Sequence, residues 1–435
     1  MRIDKIRIKN FKGFEDETFE LPEQFTVFIG DNASGKTSVL EAISFVADSF
    51  LSGIGMNNIW RNSLQARVIT IDGQPKNQFP VLINSLGSID DTTIELTLNA
   101  NERKRAVNPE IINDAKRLKI LEQLSVFIKA EKIGFSEIAK KKLEESRSHS
   151  GVIFPIIAYY STVRLWKEEK KIPFEKQEEG IHVAYKNCLP VTYTATNFIS
   201  WIKTQEDSIQ KFQDSLEIAH LKAMKNAILS LMPDNRWQDI AFDRKREELS
   251  GIFYDSSGKT NRLSFGQLSD GFRNAVSMAA DIAYRCIQLN PHFGERAVLD
   301  TPGIVLIDEI DLHLHPNWQR HFIGDLKKAF PKIQFVATTH SPFIVQSLKA
   351  SELINLDAVS DVNPSDLSIE DISTHIMGVE SNFGAESQKE ELLSREYLTI
   401  LNKENSTSNE KLDMIEKKVT DPAVRAFLQM QRLIK

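Results

Sequence analysis

Gly30-Asp31-Asn32-Ala33-Ser34-Gly35-Lys36-Thr37 follows the apolar run Val27-Phe28-Ile29 and opens a stretch with helical periodicity, Leu40, Ile43, Val46, Ala47 and Phe50. A buried strand, a glycine-rich turn and a helix in that order are the setting of a phosphate-binding loop of the pattern G-x-x-x-x-G-K-[ST]. Glycines at 30 and 35 let backbone N–H groups turn inward on phosphate oxygens, and the helix that follows adds the positive end of its dipole. Lys36 then brings a fixed charge to the β- and γ-phosphates, and the Thr37 hydroxyl is placed to ligate Mg²⁺. The reading predicts ATP and Mg²⁺ as ligands. Gly30, Asn32, Ala33, Ser34, Gly35, Lys36, Thr37 and Ser38 are the residues expected around the phosphates.

A second apolar run, Gly303-Ile304-Val305-Leu306-Ile307, ends in two carboxylates, Asp308 and Glu309. A buried strand would deliver Asp308 to the sheet edge beside the glycine-rich loop, where it holds the Mg²⁺ hydration shell. Glu309 is then placed to polarise the attacking water. A third run, Phe335-Val336-Ala337-Thr338-Thr339, ends in His340, which at the same edge can hydrogen-bond a γ-phosphate. In Leu268-Ser269-Asp270-Gly271-Phe272-Arg273 a serine hydroxyl, a glycine and a helix start point the same way, a combination that binds an anion. Ser264, in Leu263-Ser264-Phe265-Gly266-Gln267, offers a similar register. Ser269 is preferred because a helix starts immediately after it.

The bulk properties exclude several classes. The chain has 435 residues, 41% hydrophobic and 26% charged, an ordinary soluble balance able to bury a sizeable core. Its net charge is −6, so any nucleic-acid contact is a local patch and not a basic coat. Cys188 and Cys286 are the two cysteines, too few for a disulfide framework and without metal-ligand spacing. No apolar run reaches the roughly 18 residues of a membrane span. The alternating start, Met1 to Asn10, reads as a strand and not a signal peptide, which leaves a cytoplasmic location.

Alternation of strands and helices predicts an α/β class. Strands are expected over 1–30, 68–99, 153–160, 237–254, 304–307 and 334–338. Helices are expected over much of 101–150, over 196–232, and at 271–289 and 317–329, with a polar loop region at 165–185. The composition divides the chain into an N-terminal part of the ATPase lobe (1–100), a helical insertion with linking strands (101–262), the C-terminal part of the lobe (263–360) and a polar, helical appendage (361–435). A flexible joint is read at Glu404–Asn409. The final helix, Ala423 to Ile434, carries Val424, Phe427, Leu428, Met430 and Leu433 as an apolar stripe that must bury itself somewhere. No sustained heptads support long coiled-coil arms. Gln74 and Gln78 are candidates for a nucleotide-sensing glutamine, without a choice between them. His313 and His315, two residues apart in a loop, suggest packing more than a metal pair. Tyr159, Tyr160 and Arg164 read as core and surface residues at one strand end.

The ordered set of glycine-rich loop, signature, acidic strand end, Asp311 and strand-end histidine resembles the RecF/SMC-type branch of ABC ATPases. The opening Ile8-Lys9-Asn10-Phe11-Lys12-Gly13-Phe14 is similar to that branch's first hairpin, which implies Lys12 near the nucleotide. Ala158-Tyr159-Tyr160-Ser161-Thr162-Val163-Arg164-Leu165-Trp166 and Glu309-Ile310-Asp311-Leu312-His313-Leu314-His315-Pro316 resemble a narrower group, which includes the ATPase subunits of Septu antiphage systems and related retron systems. The resemblance implies an ABC-type head that works as a homodimer. Ser269 and Gly271 would cover the γ-phosphate held by the other protomer, and Asp311 would lie in a loop crossing the interface. Phe272 departs from the group, which usually has an acidic residue there. The stretch after His340 reads as too short and polar for the nuclease module that some relatives fuse at that point. The resemblance therefore implies a separate HNH-type nuclease partner. A RecF/SMC-like ATPase that clamps DNA in repair or recombination is the alternative, and a transporter subunit fits less well.

Overall fold

The structure, a computed structural model, describes residues 1–56, 65–71, 74–90, 92–100, 134–162, 180–189, 196–232, 237–255, 257–358, 362–379, 385–401 and 408–434. The chain forms two compact units, Met1–Leu367 and Ser368–Lys435.

The first unit is built on a five-stranded parallel sheet. Its order is β14 (Leu353–Asn355), β3 (Phe25–Ile29), β13 (Ile333–Thr338), β12 (Gly303–Ile307) and β8 (Ile156–Tyr160). Every residue of β3, β8, β12 and β13 is buried, which explains why these runs are mostly apolar and not alternating. All five strands point the same way, so the chain leaves β3, β12 and β13 on one edge. Helix α1 (Lys36–Gly53) starts from that edge.

A second, antiparallel sheet has the order β2 (Phe14–Glu20), β1 (Arg2–Phe11), β6 (Val81–Ile89) and β7 (Thr92–Ala100). Its alternating burial matches a sheet with one face on the core. Helix α1 packs against both sheets, touching β12 and β13 of one and β1 and β6 of the other. Gln334 ties the sheets through polar bonds. Its Oε1 accepts the Ile3 N–H at 2.9 Å, and its Nε2 donates to the carbonyls of Ile3 and Pro22 at 2.8 and 2.9 Å.

Besides α1 and a short turn at Ala297–Asp300, the described helices of this unit include α2 (Phe135–Ser146), α3 (Ile181–Tyr185), α4 (Thr196–Phe212), α5 (Ser215–Ser230), α6 (Asp270–Leu289), α7 (Pro316–Ala329) and α8 (Pro342–Gln346). Much of the charged stretch expected to be helical, 101–133, lies outside the described residues, as do 163–179 with Arg164. Within the expected loop region 165–185 the structure instead places the short helix α3. One turn is too short to show periodicity. It is held by burial, with the Tyr185 hydroxyl donating to the Pro155 carbonyl at 2.5 Å. The strand pair expected over 237–254 is β9 (Trp237–Asp243) and β10 (Glu248–Tyr254), and a third strand, β11 (Thr260–Ser264), joins it. Tyr159 and Tyr160 are core residues. Cys188 and Cys286 are buried free thiols, and burial pushes Cys188 up to about 12, which makes it a poor nucleophile.

The second unit contains α9 (Ala385–Leu401), α10 (Ser408–Lys418) and α11 (Pro422–Ile434) around Tyr397, Leu412, Ile415, Val419 and Leu428. Most of the expected joint at Glu404–Asn409 lies outside the described residues. The expected apolar stripe of the last helix is covered in part within this unit. Val424 and Leu428, four residues apart, face the bundle, whereas Phe427 and Met430 are rotated off that line and are 49% and 59% exposed. The Leu433 side chain lies outside the described residues.

Beneath the parallel sheet's edge, α6 carries a buried ionic junction. The Arg285 Nε donates to Asp281 Oδ2 at 2.7 Å, and its Nη1 donates to the Ala184 and Lys186 carbonyls. The Tyr160 hydroxyl, at the end of β8, donates to the same Asp281 oxygen at 2.7 Å. Removing one member of such a group strands the other charge. Arg285→Ala is therefore expected to destabilise the chain by about 3–5 kcal/mol, read as a fall in Tm by circular dichroism.

Candidate functional site

The glycine-rich loop needs a backbone that most residues avoid. Gly30 sits at φ +148°, Ala33 at +71° and Gly35 at +104°. Gly35 is pinned from behind as well, because a Cβ there would lie 2.6 Å from the Phe14 ring. Phe14 stands edge-on to Phe19, and Phe19 to Phe28 of β3, so the first hairpin braces the loop. The Lys36 ammonium folds back onto the Gly30 and Asp31 carbonyls at 2.8 and 2.7 Å. Burial lowers its pKa, opposed by the carboxylates of Asp357, Asp308, Asp31 and Glu309. Asn32 and Ala33 are exposed, while Ser34 and Ser38 are partly covered.

The acidic strand end comes within bonding distance of the start of α1. The Thr37 hydroxyl donates to both Asp308 carboxylate oxygens, at 3.2 and 3.0 Å. Thr338, the last residue of β13, donates its hydroxyl to Asp308 Oδ1 at 2.6 Å and accepts the Glu309 N–H at 2.7 Å. Glu309 is partly exposed, with its backbone in the left-handed region at φ +50°. His340 is exposed two residues beyond Thr338. The three strand ends thus bring Lys36, Thr37, Asp308 and Glu309 together. Lys12 pairs with Glu41, one turn into α1 after Thr37.

The signature segment is also assembled against its own chain. Ser269 is exposed and caps α6, its Oγ accepting the Phe272 N–H at 3.4 Å. Ser264 is buried at the end of β11, where Gln267 Oε1 accepts its N–H at 3.0 Å. A Cβ on Gly271 would fall 1.9 Å from the His313 carbonyl oxygen, so only glycine lets the helix start meet the 310–315 loop. His313 is itself at φ +63°. His315 caps α7, its Nδ1 accepting the Asn317 N–H at 3.2 Å. The Asp311 carboxylate accepts a hydrogen bond from the Thr339 hydroxyl of the same chain. Phe272 lies between Trp237 and Trp318, with ring centroids 5.3 Å from each, which explains an aromatic where an acid is usual. Among the described residues no group of three or more His, Cys, Asp or Glu side chains is arranged to hold a metal ion.

Sequence reasoning missed three contributors. Thr338 was read as part of a strand, with no signal for its double bond. Gln319, on α7, donates to the Leu314 carbonyl at 2.8 Å and accepts the Ser341 hydroxyl at 2.6 Å, fixing the loop after the acidic pair. Asp357 accepts the Asp31 N–H from a position 326 residues away in the chain. None of these bonds leaves a mark in local sequence.

A parallel sheet that delivers a glycine-rich loop, an acidic pair and a helix-capping signature defines an ABC-type P-loop ATPase head. The chain belongs to the family described as "AAA domain, putative AbiEii toxin, Type IV TA system", whose model matches residues 25–346. It is 27% identical to the retron Vc95 probable ATPase of Vibrio cholerae serotype O1 biovar El Tor, over 81% of this chain and 73% of the relative. It is 26% identical to the retron Ec83 probable ATPase of Escherichia coli, over 81% and 71%. Against the Septu protein PtuA of Bacillus mycoides the identity is 25%, over 81% of this chain but 40% of the relative's length. Among solved structures, the SMC head domain from Thermotoga maritima covers 84% of this chain and 97% of its own, at 14% identity and a TM-score of 0.41. The chain is an ATPase with retron and Septu relatives.

The Thr338 hydroxyl serves both acids at once, donating to Asp308 and accepting the Glu309 N–H. Thr338→Val keeps the side-chain shape and removes one hydrogen bond from the Glu309 N–H and one from Asp308 Oδ1. A phosphate-release assay is expected to show ATP hydrolysis slowed about 10- to 100-fold. Isothermal titration should show ATP affinity changed less than about 3-fold, since no phosphate contact is removed.

Proposed function

We propose that this chain is the ATP-binding and ATP-hydrolysing subunit of an antiphage defence complex, acting as a homodimer that regulates a separate HNH-type nuclease. The observation that carries the ATPase chemistry is the meeting of Lys36, Thr37, Asp308 and Glu309 at one sheet edge. The defence setting is supported by the retron and Septu relatives.

In this reading residues 1–100 and 263–360 form the ATPase lobe, with 101–262 as its insertion and 361–435 as the appendage. Backbone amides of the loop and the N-terminus of α1 hold the phosphates. Thr37 and Asp308 present hard oxygen donors 3.0–3.2 Å apart, the donor type that Mg²⁺ takes. When bound, Mg²⁺ supplies positive charge to the β- and γ-phosphate oxygens. Glu309 accepts a proton from the attacking water, and His340 hydrogen-bonds the γ-phosphate. Lys12 serves the site indirectly, through Glu41 and α1. The exposed N-terminus of α6, with Ser269 at its cap, meets the γ-phosphate of the partner protomer. Asp311 and the 310–315 loop, packed against Gly271, move with that surface. Among the described residues no helix is long and apolar enough to cross a membrane, in keeping with a cytoplasmic location. DNA contact in this scheme belongs mainly to the nuclease partner.

Two sets of variants test the site. Glu309→Gln is expected to lower ATP turnover at least about 100-fold while ATP binding persists, and Lys36→Ala to weaken binding itself. Full turnover by Glu309→Gln would refute the assignment.

Shared sites make a separate demand. Ser269→Arg should abolish ATP-driven dimerisation in sizing experiments. Mixed Lys36→Ala and Ser269→Arg chains rebuild one composite site free of both changes, so activity should partly return on mixing. Normal ATP-driven dimerisation by Ser269→Arg would move the signature to Ser264. Co-expression with a neighbouring HNH reading frame, followed by co-purification, tests the partner, and the chain alone with ATP and Mg²⁺ should leave DNA uncut.

A further inference from the structure

The edge strand β14 is short, but its register is fixed. Leu353, Ile354 and Asn355 pair with Val27, Phe28 and Ile29, and the Leu356 N–H donates to the Ile29 carbonyl at 3.0 Å. The chain therefore leaves β14 alongside the point where β3 becomes the glycine-rich loop. The Asn355 side chain accepts the Asp357 N–H at 3.0 Å and turns the backbone. Asp357 then hydrogen-bonds its Oδ2 to the Asp31 N–H. A Cβ on Gly30 would lie 2.7 Å from that same oxygen and 2.7 Å from the Ser34 hydroxyl. The carboxylate sits directly on the backbone of the loop's first glycine.

The Gly30–Asp31 segment is consequently held from two sides. Lys36 takes its two carbonyls, at 2.8 and 2.7 Å, and Asp357 takes its amide. Asp357, Ser34 and the hairpin residues Phe14, Glu15 and Glu17 also line a cleft of about 500 Å³ beside the loop. Among the carboxylates that favour the charged form of Lys36, Asp357 has the largest influence.

We propose that Asp357 is a positioning residue of the phosphate-binding loop: it fixes the loop's first turn by a hydrogen bond, and its negative charge sets nucleotide affinity according to how many phosphates the nucleotide carries. This rests on the reading that the loop binds ATP. The two effects oppose each other. The bond preorganises the loop and favours every nucleotide. The charge lies within Coulombic range of Lys36, the cation expected to meet the phosphates, and disfavours the more highly charged nucleotide. Because Asp357 is exposed, its charge effect is screened by salt, whereas the bond is not.

The two effects separate by substitution. Asp357→Asn keeps a carbonyl acceptor for the Asp31 N–H and removes the charge. Asp357→Ala removes both. Affinities of the full chain for ATP and ADP are measured by isothermal titration at low salt and at about 0.5 M salt, with Lys36→Ala as a control. Asp357→Asn is expected to bind ATP about 5-fold tighter than the unmodified chain at low salt, with a smaller gain for ADP, and the gain should shrink at high salt. Asp357→Ala should bind ATP more weakly than Asp357→Asn under both conditions. Unchanged or weaker ATP binding by Asp357→Asn, or an equal gain for ATP and ADP, would overturn the proposal while leaving the ATP site standing. If the unmodified chain and Lys36→Ala bind ATP equally, the site reading fails first, and the proposal falls with it.

Discussion

The Asp308 carboxylate is the point at which three chain segments distant in sequence become one site. It ends β12, accepts the Thr37 hydroxyl from the start of α1, and accepts the Thr338 hydroxyl from the end of β13. A carboxylate at 5% exposure must have its lone pairs occupied, because an ionised group without partners is costly to bury. The two threonines help meet that requirement and, in doing so, set the spacing of the loop, the acids and the end of β13. The Glu309 backbone follows, because the Thr338 oxygen also accepts its N–H.

This constraint explains why the parallel sheet is built as it is. Four of its strands are buried along their whole length, so side chains fill both faces. Function is displaced to the ends, where the backbone leaves the ladder and its donors become available. The same logic runs through the signature. Its helix cap faces outward at Ser269, while Gly271 is pressed on the His313 carbonyl and Phe272 is locked between two tryptophans. The exposed start of α6 is therefore rigidly coupled to the loop carrying Asp311. A movement of one would require repacking the other.

Much of the architecture was legible before any coordinates. Apolar runs at 27–29, 304–307 and 335–337, each leading to a chemically special residue, already describe buried strands of an α/β domain with working groups at their ends. Alternation at Ile94, Leu96 and Leu98 describes a sheet with one face buried. Short elements failed the same test. The helix at Ile181–Tyr185 is a single turn, and β11 is a five-residue strand after a polar turn, so neither carries enough periods to be recognised. The last helix was legible as a helix, but not which of its residues the unit covers. Its apolar residues are real, but which of them face inward depends on the helices beside it, and Phe427 and Met430 do not.

By itself the sequence determined the strand–loop–helix unit around Gly30–Thr37, the acidic pair ending β12, and the serine that caps α6. These features are local because a turn, a strand end or a helix cap is made by neighbouring residues. Tertiary structure alone decided which distant groups complete them. Thr338 lies 30 residues from Asp308, Asp357 lies 326 from Asp31, and Gly271 meets a carbonyl on another loop. A hydrogen bond or a steric contact constrains positions in space and leaves the intervening chain free, so such pairs emerge only once the sheet has set its strands side by side.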